Sequence, residues 1–298
     1  MTDTTPIPKT IPFICGLSDI SAAYDGFIVD IWGVVHQGGE AYPEAIACLE
    51  RLRIAGKKVV FLSNAPRRAA KVVAILAEKG IPRDLYDAVL SSGEAARIAF
   101  EASNEAPLNA LGPRYFLMAA SGDDDLLHGL DYAATDDIGK ADFLLTIGLS
   151  PERPTLAAHQ DIFAAAARRG ITMVCVNPDQ EVVRLGQREL CAGALAQQYE
   201  QLGGTVAYVG KPYPYVYRLC LDMLAVVPQT RVLAIGDGIE TDIPGARSAN
   251  IDALLVTGGL LAEKLGVTRL EAPDADALAA ICHDANERPR AAIATLHW

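Results

Sequence analysis

Short apolar runs that alternate with helix-length segments constrain the fold of this chain more than any other feature of its sequence. The runs that begin near Gly26, Lys57 and Asp87 have the length of buried strands, and polar residues follow each of them. Residues 43–56, between the first two runs, begin with Pro and end with Gly, as helices often do. This alternation predicts right-handed βαβ units and a doubly wound parallel sheet with helices on both faces.

A second α/β pattern begins after a polar stretch at residues 103–113. Its apolar runs and one Ala-rich helix are predicted at residues 114–120, 141–148, 155–170 and 171–179. From residue 205 onwards, the earlier pattern of strands and helices returns.

We therefore predict a Rossmann-like α/β core domain with a smaller α/β domain inserted into it. The core would contain residues 1–102 and 205–298, and the inserted domain would contain residues 103–204. The final segment, residues 287–298, is compatible with either a strand or a tail.

The composition is that of a globular protein able to bury a large core, with 298 residues and a hydrophobic content of 51%. The formal net charge of −11 argues against binding to nucleic acid or to an anionic membrane, because no run of Lys and Arg offsets it. No segment approaches the roughly 20 apolar residues of a membrane span. The six cysteines lack CxxC spacing, which favours reduced core residues in a cytoplasmic protein.

One carboxylate, Asp30, directly follows the first apolar run. A buried carboxylate is costly unless a metal, a cation or hydrogen-bond donors neutralise it, although Asp30 could also simply cap a turn. The carboxyl ends of strands in a doubly wound sheet converge on one edge, where its partners are expected. Polar candidates that follow other apolar runs are Ser63, Asn64, Lys211, Asp237 and Asp242.

These candidates lie in four segments, which are DIWGV (30–34), LSN (62–64), GKP (210–212) and IGDGIETDIPGA (235–246). In this order the segments resemble the four motifs of the haloacid dehalogenase superfamily of hydrolases, over about residues 26–258. A closer resemblance is to the class IIA subgroup of this superfamily. Its signs are the inserted domain, the segment GKPYPYVY, and VNPDQEV followed by CAGALAQQYE. That subgroup contains sugar-phosphate, nucleotide and 4-nitrophenyl phosphatases, whose α/β cap lies between the second and third motifs.

The resemblance implies Mg²⁺-dependent hydrolysis of a small phosphorylated metabolite. Asp30 would be the nucleophile and form an aspartyl-phosphate, and the backbone carbonyl of Trp32 would help to hold Mg²⁺. Asp237 and Asp242 lie where acids of the metal site are expected, although Asp242 could be only a helix N-cap. A hard cation with oxygen ligands suits this chemistry, because it cancels the repulsion between a carboxylate and a phosphate.

The other two motifs would hold the phosphoryl group. Ser63 and Asn64 resemble the motif whose hydroxyl and backbone amides bind the transferring phosphoryl, and Lys211 resembles the motif whose ammonium balances developing charge. Plainer alternatives are capping of the next helix by Ser63 or Asn64 and a surface position for Lys211.

The inserted domain would supply substrate specificity by contacting the leaving group. Asn177 and Asp179 match the family's cap loop, and an ordinary Asn-Pro turn is the alternative. We expect His159 and His128 to be surface residues. The oligomeric state stays open, although related capped phosphatases often dimerise through the cap, which makes a homodimer one expectation.

The chain departs from the family pattern at Trp32. Most phosphatases of the superfamily carry Asp there, and this acid protonates the leaving oxygen and later activates water. General acid-base catalysis typically raises the reaction rate by about 10²–10⁴-fold. Either His36 replaces the acid, or the protein is a weak hydrolase, a hydrolase of activated substrates or a silent metabolite-binding member. Dehalogenation is less favoured, because dehalogenases lack the metal acids that Asp237 and Asp242 match.

Overall fold

The computed structural model of the protein describes residues 10–103, 105–119, 125–150, 152–184, 187–225 and 227–298. Its strands are β1 Gly26–Val29, β2 Lys58–Ser63, β3 Ala88–Ser91, β4 Arg114–Met118, β5 Ala133–Ala134, β6 Phe143–Thr146, β7 Thr172–Cys175, β8 Glu181–Arg184, β9 Gln187–Leu190, β10 Thr205–Tyr208, β11 Val232–Gly236, β12 Asp252–Val256 and β13 Ala291–Ile293. Its α-helices are α1 Ser18–Ser21, α2 Pro43–Ile54, α3 Ala69–Glu78, α4 Ser92–Ala102, α5 Gln160–Arg168, α6 Ala192–Gln201, α7 Pro214–Met223, α8 Asp242–Ser248, α9 Ala262–Leu265 and α10 Ala275–Asp284.

The chain forms two compact units. The first contains the described residues up to Ser63, together with Val73–Val89 and Lys211–Trp298. The second contains Asn64–Val72 and Leu90–Gly210.

The sheet of the first unit has the strand order β13-β12-β11-β1-β2-β3. β1 pairs in parallel with both β11 and β2, and β12 pairs in parallel with β11 and β13. Strand order therefore reverses between β1 and β11, which is where ligands bind in doubly wound sheets. All residues of β1 and β11 are buried, as strands covered on both faces require. The predicted doubly wound parallel core is confirmed.

Local sequence explains where the helices of this unit begin and end. Pro43 occupies the first turn of α2, where its missing amide costs no hydrogen bond. The chain leaves the helix through Gly56, whose φ of +69° lies in the left-handed region that favours glycine. The buried residues of α2 recur with helical spacing, so one stripe packs into the core; they are Ala45, Cys48, Leu49 and Leu52.

The second unit has its own sheet, in which β4, β6, β7 and β10 pair in parallel in the order β10-β7-β6-β4-β5. Its β8 and β9 form an antiparallel hairpin. The sequence pattern predicts residues 205–210 in the core, whereas β10 pairs with β7 along the whole strand, from Thr205 beside Thr172 to Tyr208 beside Cys175. These ladder bonds place the strand in the second unit, which also includes residues before 103.

The carboxyl-terminal segment contributes a strand, β13, and so is not simply a tail. On its free side, the amide of Ile14 donates to the carbonyl of Ala292, and the amide of Ala292 donates to the carbonyl of Pro12. This pairing covers a sheet edge that would otherwise expose unpaired backbone groups.

The prediction that the cysteines are reduced core residues is correct for all but one of them. All are free thiols and all are buried except Cys15, which is exposed. In the part of the chain that the structure describes, every helix is too short or too polar to cross a bilayer.

Candidate active site

A buried group of charged side chains lies at the carboxyl edge of the first unit's sheet. Asp30 follows β1, Asp237 follows β11, Asp242 begins α8 and Lys211 lies just before α7. Their exposed fractions are 6%, 2%, 5% and 3% in that order. Asp30 and Asp237 lie on neighbouring strands, since β1 and β11 pair with Val29 beside Ile235.

Lys211 bridges two of the carboxylates. Its Nζ lies 2.6 Å from Oδ1 of Asp30 and 2.9 Å from Oδ1 of Asp242. Lys211 is therefore not the surface residue of the plainer alternative. Removing one partner from a buried ion pair usually costs about 3–5 kcal/mol, because the remaining charge stays buried without compensation.

Asp242 is held from several directions. Its Oδ2 accepts the amide of Gly238 at 3.1 Å, and its backbone carbonyl accepts the hydroxyl of Tyr217 at 3.1 Å. Thr241, not Asp242, occupies the N-cap position of α8, so the N-cap alternative for Asp242 does not apply.

Asp237 lies in a space that two glycines leave open. A Cβ on Gly33 or on Gly259 would lie 2.0 Å from Oδ2 of Asp237. The same oxygen accepts the backbone amide of Leu260 at 2.8 Å. Gly33 also has a φ of +80°, which side chains rarely tolerate. The backbone on both sides therefore limits where this carboxylate can lie.

The electrostatics of the cluster are those of an acid-rich site. Burial raises the pKa of Asp30 well above its usual range, Lys211 opposes this, and Asp242 and Asp237 add to it. Burial lowers the pKa of Lys211, but Asp242 and Asp30 together raise it well above the ordinary value. Ligand oxygens of the three acids all lie within 4.8 Å of one another. Converging carboxylate oxygens of this kind suit a hard divalent cation.

The remaining predicted residues fall into two places. Ser63 ends β2, next to β1, and is buried. In the second unit, Nδ2 of Asn64 donates to Oδ1 of Asp179 at 2.8 Å. The amide of Asp179 donates to Oδ1 of Asn177 at 3.1 Å, a local turn bond. The structure thus brings Asn64, Asn177 and Asp179 together.

Comparison with known proteins agrees with this arrangement. Two family models match the chain, "Haloacid dehalogenase-like hydrolase" over residues 27–133 and "HAD-hydrolase-like" over residues 208–285. Chronophin from Homo sapiens is 30% identical over 291 residues, which span 90% of this chain and 90% of that protein. The chain belongs to the haloacid dehalogenase-like hydrolases.

Two further similarities support this membership. Ribonucleotide monophosphatase NagD from Escherichia coli is 27% identical, with 78% of this chain and 87% of NagD covered. The crystal structure of a haloacid dehalogenase-like family hydrolase from Brucella suis superposes with a TM-score of 0.79 at 30% identity. That match covers 94% of this chain and 98% of the other.

In this haloacid dehalogenase-like hydrolase, Trp32 and His36 belong to one tight loop after β1. The Trp32 and His36 rings meet edge to face, with centroids 5.4 Å apart, and the amide of Gly33 donates to the carbonyl of His36 at 2.8 Å. His36 is buried, and its Nδ1 accepts the amide of Gly38 at 3.1 Å. The role of His36 as a general acid stays a prediction.

One expectation about the second unit of this hydrolase is wrong. His159 is only 1% exposed, because its ring stacks on Phe163 with centroids 5.6 Å apart. Its Nδ1 lies 2.9 Å from the carbonyl of Thr155, and burial lowers the pKa of the ring. His128 is exposed, as expected.

Sequence reasoning missed the residues that position the acids of the hydrolase. Gly259 leaves space for the carboxylate of Asp237, and the amide of Leu260 donates a hydrogen bond to it. The hydroxyl of Tyr217 donates a hydrogen bond to the backbone carbonyl of Asp242. The available signal for Gly259 is the Gly-Gly pair that follows Thr257, one residue beyond the end of β12. For Tyr217 there was none, because an aromatic residue on a helix normally indicates core packing.

Proposed function

We propose that this haloacid dehalogenase-like hydrolase is a Mg²⁺-dependent phosphatase of a small phosphorylated metabolite, such as a sugar phosphate, a nucleotide or an aryl phosphate. The buried cluster of Asp30, Lys211, Asp237 and Asp242 carries the proposal, because it combines a nucleophile, a cation and converging acids. The relative NagD is named a ribonucleotide monophosphatase, which supports a phosphate ester as substrate.

The carboxylates of Asp30, Asp237 and Asp242 and the backbone carbonyl of Trp32 would hold Mg²⁺. The three carboxylates fit this ion, since their oxygens converge within 4.8 Å. When bound, the cation neutralises phosphate charge and so permits attack by an anionic nucleophile.

The chain's own residues would then carry the reaction in two stages. An oxygen of Asp30 attacks phosphorus, the bond to the leaving oxygen breaks, and an aspartyl-phosphate forms. Lys211 offsets negative charge on the phosphoryl oxygens, and Ser63 donates a hydrogen bond to them. Water then hydrolyses the aspartyl-phosphate and regenerates Asp30. Asn64, Asn177 and Asp179 remain our proposed substrate contacts.

The test is hydrolysis of p-nitrophenyl phosphate with and without Mg²⁺, by the wild type and by Asp30→Asn. We expect turnover only when both Mg²⁺ and Asp30 are present. Asp84→Asn is the matched control, because this Asp pairs with Arg53 on the surface and should leave turnover unchanged. Absence of turnover across a broad panel of phosphate esters would contradict the proposal and favour a silent, phosphate-binding member of the family.

A further inference from the structure

The loop that follows β12 sets the position of Asp237. Its Gly259 leaves room for the carboxylate, and the amide of Leu260 donates to Oδ2 of Asp237 at 2.8 Å. A shift of the loop backbone would therefore move the carboxylate or break its hydrogen bond. Because groups that orient a metal ligand affect metal affinity, the contacts on the other side of this loop bear on the metal site.

The other side of the loop lies against the segment between α9 and α10. A Cβ on Gly258 would lie 2.1 Å from the carbonyl oxygen of Arg269 and 2.6 Å from that of Ala294, so the loop backbone lies directly against both. The amide of Gly258 also donates to the carbonyl of Ala294 at 2.8 Å. Ala294 directly follows β13, whereas Arg269 lies in a turn outside the helices and strands. The backbone of Arg269 therefore needs support from other contacts.

The side chain of Arg269 supplies this support by reaching the amino end of α2. Its Nη1 donates to Oε1 of Glu44 and, at 3.0 Å, to Oγ1 of Thr295. The hydroxyl of Thr295 donates to the same oxygen of Glu44 at 3.3 Å. The guanidinium carbon lies 4.0 Å from the centroid of the Tyr42 ring, within the roughly 6 Å over which cation–π attraction operates.

The contacts of Arg269 are partly shielded from water. The side chains of Arg269 and Glu44 are 28% and 25% exposed, and Thr295 is buried. Burial raises the pKa of Glu44, but the hydrogen bond from Arg269 and other contacts bring this pKa below its ordinary value. Glu44 is therefore a carboxylate at neutral pH. A shielded ion pair that also bonds to a third group is held more firmly than an exposed pair, which contributes little.

The amino end of α2 is in turn joined to the loop after Asp30. The amide of Tyr42 donates to the carbonyl of Val35 at 2.8 Å, and Val35 lies in that loop. Arg269 thus contacts two segments of the site at once. Its backbone lies against the loop that confines Asp237, and its side chain contacts the segment bonded to the Asp30 loop.

We infer that Arg269 is a positioning residue for the Mg²⁺ site, and that its ion pair with Glu44 holds the loop of Gly258 and Gly259 where Asp237 can bind the cation. The role is indirect, because Arg269 acts through the backbone of the loop. Without the ion pair, residue 269 can move away from Gly258, and the loop and the carboxylate can follow. This inference rests on the proposed function, which makes Asp237 a ligand of Mg²⁺.

The test measures Mg²⁺ binding directly, by isothermal titration calorimetry of the full chain without substrate. Arg269→Met keeps a long side chain without the charge, and Glu44→Gln keeps the shape of Glu without the charge. Loss of a group that orients a metal ligand typically lowers metal affinity 10–100-fold. We expect the Kd for Mg²⁺ to rise by about 10-fold in each variant, the lower end of that range, because Arg269 acts at one remove from Asp237.

A double variant tests whether the two side chains act as one pair. If they do, Arg269→Met combined with Glu44→Gln should bind Mg²⁺ no more weakly than either single variant. Losses of affinity that multiply in the double variant would overturn the proposed pair.

Arg231→Met is the matched control. Arg231 forms an ion pair with Asp25, and the two residues directly precede β11 and β1 at the amino edge of the same sheet. Loss of this pair should lower the free energy of unfolding and leave the Kd for Mg²⁺ unchanged. A Kd that rises equally in Arg231→Met and Arg269→Met would overturn the inference, because general destabilisation would then be the cause.

The outcomes separate this inference from the proposed function. An unchanged Kd for Mg²⁺ in folded Arg269→Met or Glu44→Gln would overturn the inference and leave the phosphatase proposal intact. A wild-type protein that binds no Mg²⁺ would contradict both. If Arg269→Met does not fold, Glu44→Gln decides, because it removes the same ion pair with a smaller change in shape.

Discussion

Replacing Gly259 by Ala is expected to weaken Mg²⁺ binding through Asp237. The added Cβ would lie 2.0 Å from Oδ2 of Asp237 and 2.7 Å from its Cγ. Non-bonded heavy atoms are comfortable only at about 3.5–4.0 Å, so the carboxylate must move by more than about 1 Å. Gly259 has no positive φ, and the substitution therefore acts through space rather than through backbone strain.

The structure sets the expected magnitude. Movement of the carboxylate breaks its 2.8 Å hydrogen bond from the amide of Leu260. Hydrogen bonds to charged groups contribute about 1.5–3 kcal/mol, and loss of a group that orients a metal ligand typically lowers metal affinity 10–100-fold. We expect the Mg²⁺ concentration for half-maximal p-nitrophenyl phosphate hydrolysis to rise by that factor.

A second readout separates metal binding from turnover. The rise in melting temperature on adding Mg²⁺ should need a correspondingly higher Mg²⁺ concentration in Gly259→Ala. Gly39→Ala is the matched control, because nothing lies within 4 Å of the Cβ it would add. If a folded Gly259→Ala protein has the wild-type Mg²⁺ midpoint in both assays, the assigned role of Asp237 is refuted.

Three further predictions concern charge, packing and pH. Lys211→Met leaves Asp30 and Asp242 without their shared cation, so we expect loss of turnover and a drop of about 3–5 kcal/mol in the free energy of urea unfolding. Tyr217→Phe removes one hydrogen bond and should cost about 0.5–1.5 kcal/mol. An unchanged urea midpoint would contradict either prediction. The pKa of His159 is lowered in the folded state, so below its ordinary value of about 6.5 the unfolded chain binds more protons and stability falls. His159→Gln should reduce the slope of unfolding free energy against pH, and identical slopes would refute that reasoning.

Much of the candidate site follows from local patterns. Asp30 and Asp237 each come directly after an apolar run, and the carboxyl ends of parallel strands converge on one edge. The convergence of these two acids is therefore a consequence of the predicted fold. Lys211 was a weaker inference, because a Lys-Pro pair has no local signal for burial and only its position in the series of motifs suggested a role.

Other features depend on contacts between distant segments. From its sequence alone, the apolar run at 205–208 could extend the sheet of either unit. Its ladder bonds to β7 place it in the sheet of the second unit. His159 is buried because Phe163 and its own turn cover it, which hydrophobic spacing did not reveal.

The sequence by itself determined the doubly wound class, the order of the motifs and the residues that end the core strands, because these depend on periodicity along a single segment. Tertiary structure alone decided how the acids are held. Gly33, Gly259 and the amide of Leu260 confine Asp237, and Lys211 bridges Asp30 and Asp242. It also decided that Nδ1 of His36 accepts the amide of Gly38. Distances of this kind arise only when separate segments pack together, and no local pattern encodes them.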